Sequence, residues 1–407
     1  MNLRWLAAVL IIHVLLWLLL KPPVPHSDDL VYVEEGFRMS SPDYTISESP
    51  KSHRFLVIIP VAVFVKLFGY SPFIVSLWPL LCSLMTIAGV YLLFRKNLSV
   101  ALPASLIISC NIIQVIYSTV AFPDAVVSLF SFMAIALMHF RHQINSWVAF
   151  VTVAIILAGF FAKQIMLLII PFIVFASRED ISRKRNRLYW KRFYVASLLA
   201  VITVLLVSKG LTGQWFFLIQ SVEVYHNDVF VSLTAQELLY RLTAEPMVFL
   251  FSQAGYWPLL LMAWPAFFLK EGTLSSWKKY AAILFVLLWF GTTSFNRWAP
   301  LPLIDRMWMM MIVPLSIMAA YSMNAFLQKK LSPKIRVMFY GMFIISAFVA
   351  FPVFQLSRSL MLLMFAVGFF IAEKRETNKS GKDISMIAAM LPSVILVIWF
   401  VLKNSNW

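Results

Sequence analysis

Two neighbouring carboxylates directly follow the first apolar segment of the chain. Asp28 and Asp29 come a few residues after that segment ends, and Tyr32 follows shortly afterwards. Carboxylates next to so apolar a segment indicate catalysis or cation handling, because charge near a membrane is costly. We expect Asp28 to be a general base that takes a proton from an acceptor hydroxyl, with Asp29 in a supporting role. A solvated start of a loop is the alternative interpretation.

A further carboxylate, Asp124, follows Pro123 at the predicted start of a helix. Proline suits the first turn of a helix, and a carboxylate there complements the helix dipole, so a purely structural role would explain both residues. The topology nevertheless predicts Asp124 at the same level as Asp28. We therefore expect the two carboxylates to line one cavity, with Asp124 as the second catalytic residue.

Four basic side chains could bind the phosphate of an anionic substrate. Lys163 interrupts an apolar stretch, which costs about 2.5–3.5 kcal/mol near a bilayer interior on insertion scales. His53 and Arg54 open a short apolar segment, and Arg306 opens a long one. Arginine suits bidentate contact with phosphate. The alternatives are ordinary interfacial anchoring and, for Lys163, snorkelling at a tight turn.

The segment 210–246 contains the last candidates, Glu223 and His226, beside the aromatic residues Trp215 and Tyr225. These side chains could contact a sugar, although a solvated loop explains them equally well. The sequence contains no Gly-rich phosphate loop, no metal-spaced Cys/His cluster and no nucleophile elbow. A reaction would therefore take its energy from an activated substrate.

Composition indicates a polytopic membrane protein. Hydrophobic residues make up 61% of the 407 residues, charged residues make up 13%, and the mean hydropathy is +0.84. No soluble core could bury so much apolar surface. The net charge of +16 lies in short clusters between apolar segments, as the positive-inside rule requires, which argues against nucleic acid as a partner. Cys82 and Cys110 lie inside apolar runs and indicate neither a disulfide nor a compartment.

We predict an all-α protein with about thirteen transmembrane helices and with juxtamembrane helices on the outer face. The whole chain, 1–407, forms one integral membrane domain in this prediction. The predicted spans are 3–20, 73–94, 100–118, 122–140, 147–161, 164–177, 193–209, 247–269, 280–295, 306–326, 335–352, 357–372 and 384–402.

The apolar segment 55–69 decides the topology, because it is short and contains Pro60 and Lys66. If it crossed the membrane, the basic cluster at 178–192 would face outward, against the positive-inside rule. We therefore predict a juxtamembrane or re-entrant helix on the outer side. The loops 21–72 and 210–246 then lie on the outer face, where the candidate site residues also cluster.

Several short motifs occur in a fixed order along the first 175 residues and once more near residue 306. They are Asp28-Asp29-Leu30-Val31-Tyr32, His53-Arg54-Phe55-Leu56, Lys66-Leu67-Phe68-Gly69, the segment 117–125, Gly159 with Lys163, and Arg306-Met307-Trp308 with Pro314. This order resembles the GT-C superfamily of membrane glycosyltransferases, in the branch of protein O-mannosyltransferases and lipid A aminoarabinose transferases. The chain departs from that pattern in three ways: Asp29 replaces a glutamate, two prolines after His53 are missing, and Trp308 replaces a tyrosine.

The resemblance implies an inverting transfer of sugar from a polyprenyl-phosphate-linked donor to a glycan, lipid or protein acceptor. The enzyme would lie in the cytoplasmic (inner) membrane with its active site facing the periplasm or the cell exterior. Asp28 would act as the base and Asp124 would orient the acceptor or a cation, while Lys163, His53 and Arg306, together with Arg54, would bind the donor phosphate. A divalent metal cation is compatible with this chemistry, although no ligand spacing indicates one.

Two other classes of function stay open from the sequence. A transporter or flippase for a lipid-linked or anionic substrate would need polar groups at the membrane midplane or facing the cytoplasm. A non-catalytic assembly partner would not require Asp28 and Asp124 to converge. The larger members of the family carry a soluble domain after the last helix, whereas this sequence ends at Trp407. We therefore expect the outer loops to recognise the acceptor.

Overall fold

The structure, a computed structural model, describes residues 3–25, 28–39, 46, 49–217, 234–253, 255–292, 300–354 and 367. Within these residues the chain folds into sixteen α-helices joined by short 3₁₀ segments and turns, so the predicted all-α polytopic fold class is confirmed. The helices are α1 Leu3–Leu20, α2 Asp28–Arg38, α3 Phe55–Phe68, α4 Pro72–Leu93, α5 Leu98–Ser109, α6 Ile112–Ser118, α7 Asp124–His139, α8 Val148–Ala162, α9 Ile170–Ser182, α10 Arg187–Thr212, α11 Ala235–Thr243, α12 Glu245–Ser252, α13 Trp257–Ala263, α14 Gly272–Phe290, α15 Ile312–Leu327 and α16 Pro333–Phe354.

The predicted number of spans is larger than the number of long apolar helices. Four of the described helices are long and apolar enough to cross a membrane, or six if each of two bent pairs counts as one span. Three further apolar helices, α3, α7 and α8, are shorter than 18 residues. The expected thirteen is therefore not reached within the described residues, because hydropathy alone did not reveal where helices bend or stop. Apart from residue 367, the last two predicted spans lie outside the described residues.

The predicted span 100–118 is one of those that bend. Its two helices, α5 and α6, meet at an angle of 57°. At the break, Asn111 Oδ1 accepts the backbone amides of Ile113 and Gln114 at 3.0 and 3.2 Å. An asparagine that caps a new helix in this way competes with continuation of the old one.

Helices α2 and α3 form a pair beside the end of α1. A Cβ at Gly36 would lie 3.1 Å from Cβ of Ala62, so glycine allows the two helices to approach closely. Helix α3 ends at Gly69, whose φ of 81° few other residues adopt. Trp78 Nε1 of α4 donates to the Leu56 carbonyl at 2.7 Å, which places the start of α3 beside the first half of α4. These contacts place α3 beside α2 and α4, and its position relative to the membrane stays a prediction.

Charged residues gather at opposite ends of α7, which begins at Asp124. Its sixteen residues span about 24 Å at 1.5 Å per residue. Near its far end, the Arg141 guanidinium pairs with Asp180 at 2.6 Å, and Lys279 pairs with Glu179 at 2.6 Å. The loops predicted to face the cytoplasm therefore contact one another. Helix α15 crosses the centre of the bundle, and the segment Asp305–Leu327 to which it belongs is buried along its most apolar window.

Candidate active site

Asp28, the first residue of α2, lies between two cations. Its Oδ1 accepts Lys51 Nζ at 2.6 Å, and its Oδ2 lies 3.1 Å from Arg306 Nη1. Partial burial acts to raise the pKa of Asp28, but the hydrogen bond from Lys51 and the charges of Arg306 and Lys51 outweigh it and hold that pKa below its usual range. The carboxylate is consequently ionised at neutral pH, and its side chain keeps 21% of its surface exposed.

The 3₁₀ turn Pro50–His53 positions Lys51 against Asp28. Ser49 caps this turn by accepting the Lys51 amide at 3.3 Å. Ser52 then donates to Glu35 Oε1 at 3.1 Å, and Glu35 is buried. One buried carboxylate of α2 thereby fixes the turn that places a lysine beside the first residue of the same helix.

Asp124 and Lys163 form a buried ion pair. Lys163 Nζ donates to Asp124 Oδ1 at 2.7 Å, and the two side chains are 7% and 3% exposed, respectively. Lys163 lies in extended backbone between α8 and the 3₁₀ segment Gln164–Ile169. A Cβ at Gly159 would lie 2.8 Å from Cγ of Met166, so this glycine allows the chain to fold back tightly around the lysine. Within the described residues, the second oxygen of Asp124 accepts no hydrogen bond.

A short 3₁₀ segment, Asp305–Met311, supplies the arginine that pairs with Asp28. Asp305 Oδ1 accepts the Tyr117 hydroxyl at 2.7 Å and the Arg306 amide at 2.8 Å, while its backbone carbonyl accepts the hydroxyl of Tyr256 at 2.6 Å. The guanidinium carbon of Arg306 lies 4.7 Å from the ring centroid of Phe122, within reach of a cation–π interaction. These contacts fix Arg306 between α6 and α2.

The remaining candidates of the first loop are mostly buried. Arg54 donates to the hydroxyl of Tyr32 and lies over that ring, so the tyrosine orients the arginine. His53 is buried, with its ring centroid 4.9 Å from that of Phe217. Asp29 is also buried and accepts the Leu30 amide at 3.1 Å. Glu223 and His226 lie outside the described residues.

The carboxylates of Asp28 and Asp124 lie among the same charged side chains. The charges of Arg54 and Arg306 act on Lys163, and the charges of Asp124 and Arg306 act on Tyr117. Asp28 is paired with Lys51, and Asp124 is paired with Lys163.

The described residues contain no group of three or more His, Cys, Asp or Glu side chains that could hold a metal ion.

Comparison with known proteins bears on the fold. A family model described as dolichyl-phosphate-mannose-protein mannosyltransferase matches residues 53–208. No curated protein sequence matches the chain. The structure is similar to that of ArnT from Cupriavidus metallidurans bound to undecaprenyl phosphate, with a TM-score of 0.60 and 14% identity over 100% of this chain and 78% of ArnT. The apo crystal structure of the same ArnT gives a TM-score of 0.60 and 14% identity over 99% of this chain and 77% of ArnT.

The chain has a GT-C fold, the fold of ArnT. The resemblance expected from the motif order is thereby confirmed. In this GT-C fold the site lies where α2, α3, α7 and the segment Asp305–Met311 meet, and it combines residues that lie far apart in the sequence.

Sequence reasoning gave three residues of this GT-C site no role of their own. Lys51 stands beside His53 and Arg54 in the sequence, but only the fold shows that it reaches Asp28. Tyr117 and Asp305 contact each other across the bundle, and no local pattern indicates such a pair. Their signal in the sequence is a tyrosine and a carboxylate, each at the outer end of an apolar segment.

Proposed function

We propose that this protein transfers a sugar from a polyprenyl-phosphate-linked donor to an acceptor hydroxyl or phosphate at the outer face of the cytoplasmic membrane, with inversion at the anomeric carbon. The observation that carries the proposal is the position of Asp28 between Lys51 and Arg306. The carboxylate provides a base, and the two cations beside it provide a phosphate-binding site at the same place.

In the reaction, the acceptor oxygen forms a bond to the anomeric carbon while the bond from that carbon to the phosphate oxygen breaks. The phosphate leaves with the bonding electron pair and gains negative charge. Asp28 takes the proton of the attacking hydroxyl. Cations aimed at the departing phosphate stabilise charge that grows in the transition state, which is where they lower the barrier most.

The cations of the site suit this leaving group. Lys51, Arg54, Lys163 and Arg306 share the region with Asp28, Asp124 and Asp305. Arginine can contact two phosphate oxygens at once. When a phosphate draws Arg306 or Lys51 away from Asp28, that carboxylate loses stabilisation and becomes a stronger base. Binding of the donor would therefore activate the base.

A groove beside the site supports a lipid-linked donor. It has a volume of about 390 Å³ and lies between the second half of α2 and α3, with Phe37, Ile59 and Val63 among its lining residues. Helix α2 begins at the site with Asp28, and α3 begins directly after Arg54, so the groove follows both helices away from the site. Exposed apolar side chains along α3 favour contact with lipid chains.

Asp124 would orient the acceptor with its second oxygen, because Lys163 occupies the first. Lys163 would also favour the approach of the donor phosphate. We infer that Glu223 and His226 contact the acceptor from the second outer loop, and that Asp29, Tyr32 and His53 support the donor side through the positions of Asp28 and Arg54.

The proposal is tested with purified protein in nanodiscs and undecaprenyl phosphate, the lipid product expected after transfer. Native mass spectrometry should show a retained molecule that competes with added polyprenyl-phosphate sugar, and Arg306→Ala should weaken binding about tenfold or more, as expected for one charge-assisted contact worth about 1.5–3 kcal/mol. A panel of polyprenyl-phosphate hexoses and pentoses then identifies the sugar. Equal retention by wild type and Arg306→Ala would overturn the assignment of the phosphate site.

A further inference from the structure

Two buried side chains of α1, one helical turn apart, attach the bent pair of α5 and α6 to α1. His13 Nδ1 donates to the carbonyl of Ser109 at 2.9 Å, just before α6 begins. Trp17 Nε1 donates to the carbonyl of Ser118 at 3.1 Å, at the last residue of α6. The two bonds hold the last residue of α5, just before the break, and the last residue of α6.

Both carbonyls lack a partner within their own helix. In an unbroken helix, the Ser109 carbonyl would accept the Ile113 amide, but Asn111 takes that amide at the break. The Ser118 carbonyl belongs to the last turn of α6, where carbonyls have no helical donor. An unpaired carbonyl in a membrane costs several kcal/mol, so the side chains of α1 stabilise the bend itself.

The contacts and burial of His13 favour the neutral ring. A carbonyl can only accept, so Nδ1 carries the hydrogen. Full burial disfavours a second proton, and the Nε2 of the neutral ring accepts Ser83 Oγ at 3.0 Å. Ser83 in turn accepts Gln114 Nε2 of α6 at 2.6 Å. This neutral histidine, fully buried in an apolar helix, is bonded at both nitrogens. It therefore joins α1, α4 and α6 and offers no site for a transported ion.

From α6 the chain of contacts continues to the proposed base. Tyr117, the residue before Ser118, donates to Asp305 at 2.7 Å. Asp305 holds the Arg306 amide at 2.8 Å, and Arg306 pairs with Asp28 at 3.1 Å. Asp28 follows the end of α1 by a short segment. Helix α1 thereby supports both residues of the Arg306–Asp28 ion pair. Asp28 follows α1 in the chain, and Arg306 is connected to α1 through α6.

We infer that His13 and Trp17 are positioning residues of the active site, which set the orientation of α6 and, through Tyr117 and Asp305, the place of Arg306 relative to Asp28. The inference rests on the proposed function for its consequence in catalysis. A role in packing alone would change the thermal stability of the protein but would leave the Arg306–Asp28 pair intact.

The kinetic test uses His13→Leu and Trp17→Phe in the full-length protein. Loss of the Arg306 contact should lower kcat/KM about three- to thirtyfold, the range found for coupling through packed networks. It should also move the acid limb of the pH profile to higher pH, because Asp28 loses a neighbouring cation. His13→Asn retains a donor at the position of Nδ1 and should restore both values at least in part. Thr86→Ala is the matched control, since Thr86 is buried in α4 and bonds only its own helix.

Hydrogen–deuterium exchange tests the same inference without any activity. The backbone amides of 305–311 should exchange faster in His13→Leu and Trp17→Phe than in wild type, and Thr86→Ala should match wild type. Faster exchange without transferase activity in wild type would leave the positioning role standing and reject the proposed function. Unchanged exchange at 305–311, or an unchanged acid limb in an active His13→Leu protein, would overturn the positioning role.

Discussion

Arg306 Nη1 lies 3.1 Å from Asp28 Oδ2, although the two residues lie far apart in the sequence. Lys51 holds the other oxygen of the same carboxylate at 2.6 Å. The cations proposed to receive the donor phosphate are therefore the ones that lower the basicity of the proposed base. Binding of the donor and readiness of the base become linked through these two ion pairs.

Asp28→Asn should lower kcat by about 100- to 10,000-fold, the usual contribution of a general base. The amide cannot accept the proton of the attacking hydroxyl. The KM for the donor should stay the same or fall, because a carboxylate that competes with phosphate for Arg306 and Lys51 is removed. Steady-state transfer assays with varied donor check both values.

Glu34→Gln is the matched control for this variant, since Glu34 belongs to the same helix and is exposed. It should behave like wild type. An Asp28→Asn protein with near-normal kcat would remove Asp28 from the role of base, and a raised KM with unchanged kcat would assign it to holding the cations in place.

The pH profile should distinguish the free enzyme from the donor complex. In the free enzyme, Lys51 and Arg306 hold the pKa of Asp28 below its usual range despite its partial burial. The acid limb of kcat/KM, which reports the free enzyme, should therefore lie at low pH. Donor phosphate would share the two cations and raise this pKa, so the acid limb of kcat should lie at higher pH.

Arg306→Gln provides the check on that reasoning. Because the variant lacks one of the cations in the free enzyme, the acid limb of its kcat/KM profile should move to higher pH, toward the acid limb of kcat. If the acid limbs of kcat and kcat/KM lay at the same pH in wild type, donor binding would not change the pKa of Asp28, which would contradict the proposed linkage.

The sequence was sufficient for the all-α fold class and for the individual side chains that carry charge near the ends of apolar segments. The apolar run 3–20 coincides with α1, since Lys21 and the two prolines after it end the helix. Local patterns could not reveal the bend between α5 and α6, which depends on Asn111 and on donors from α1. They likewise could not pair Asp28 with Arg306 or Tyr117 with Asp305, because such pairs arise only when distant helices pack.

Arg141→Met should destabilise the protein without altering catalysis. Arg141 and Asp180 form a buried pair at the end of the bundle away from the site, and Trp190 Nε1 donates to the same carboxylate at 2.8 Å. Removal of one partner leaves a buried charge uncompensated, at a cost of about 3–5 kcal/mol. The apparent Tm in detergent should fall clearly, while kcat and the pH profile at low temperature should match wild type. A shifted pH profile would show that the two ends of the bundle are coupled.

Replacing one residue of the Asp124–Lys163 pair should destabilise the protein more than replacing both. Both side chains are buried, so Lys163→Met alone leaves the buried carboxyl of Asp124 without its partner and should cost about 3–5 kcal/mol of stability. The double variant Asp124→Asn, Lys163→Met removes both charges and should unfold at a higher temperature than Lys163→Met, even though it lacks the activity that Asp124 is proposed to support. Thermal unfolding of wild type, both single variants and the double variant completes the cycle. If the two single effects simply add, the charges act independently, and the buried ion pair does not hold the end of α8 against α7.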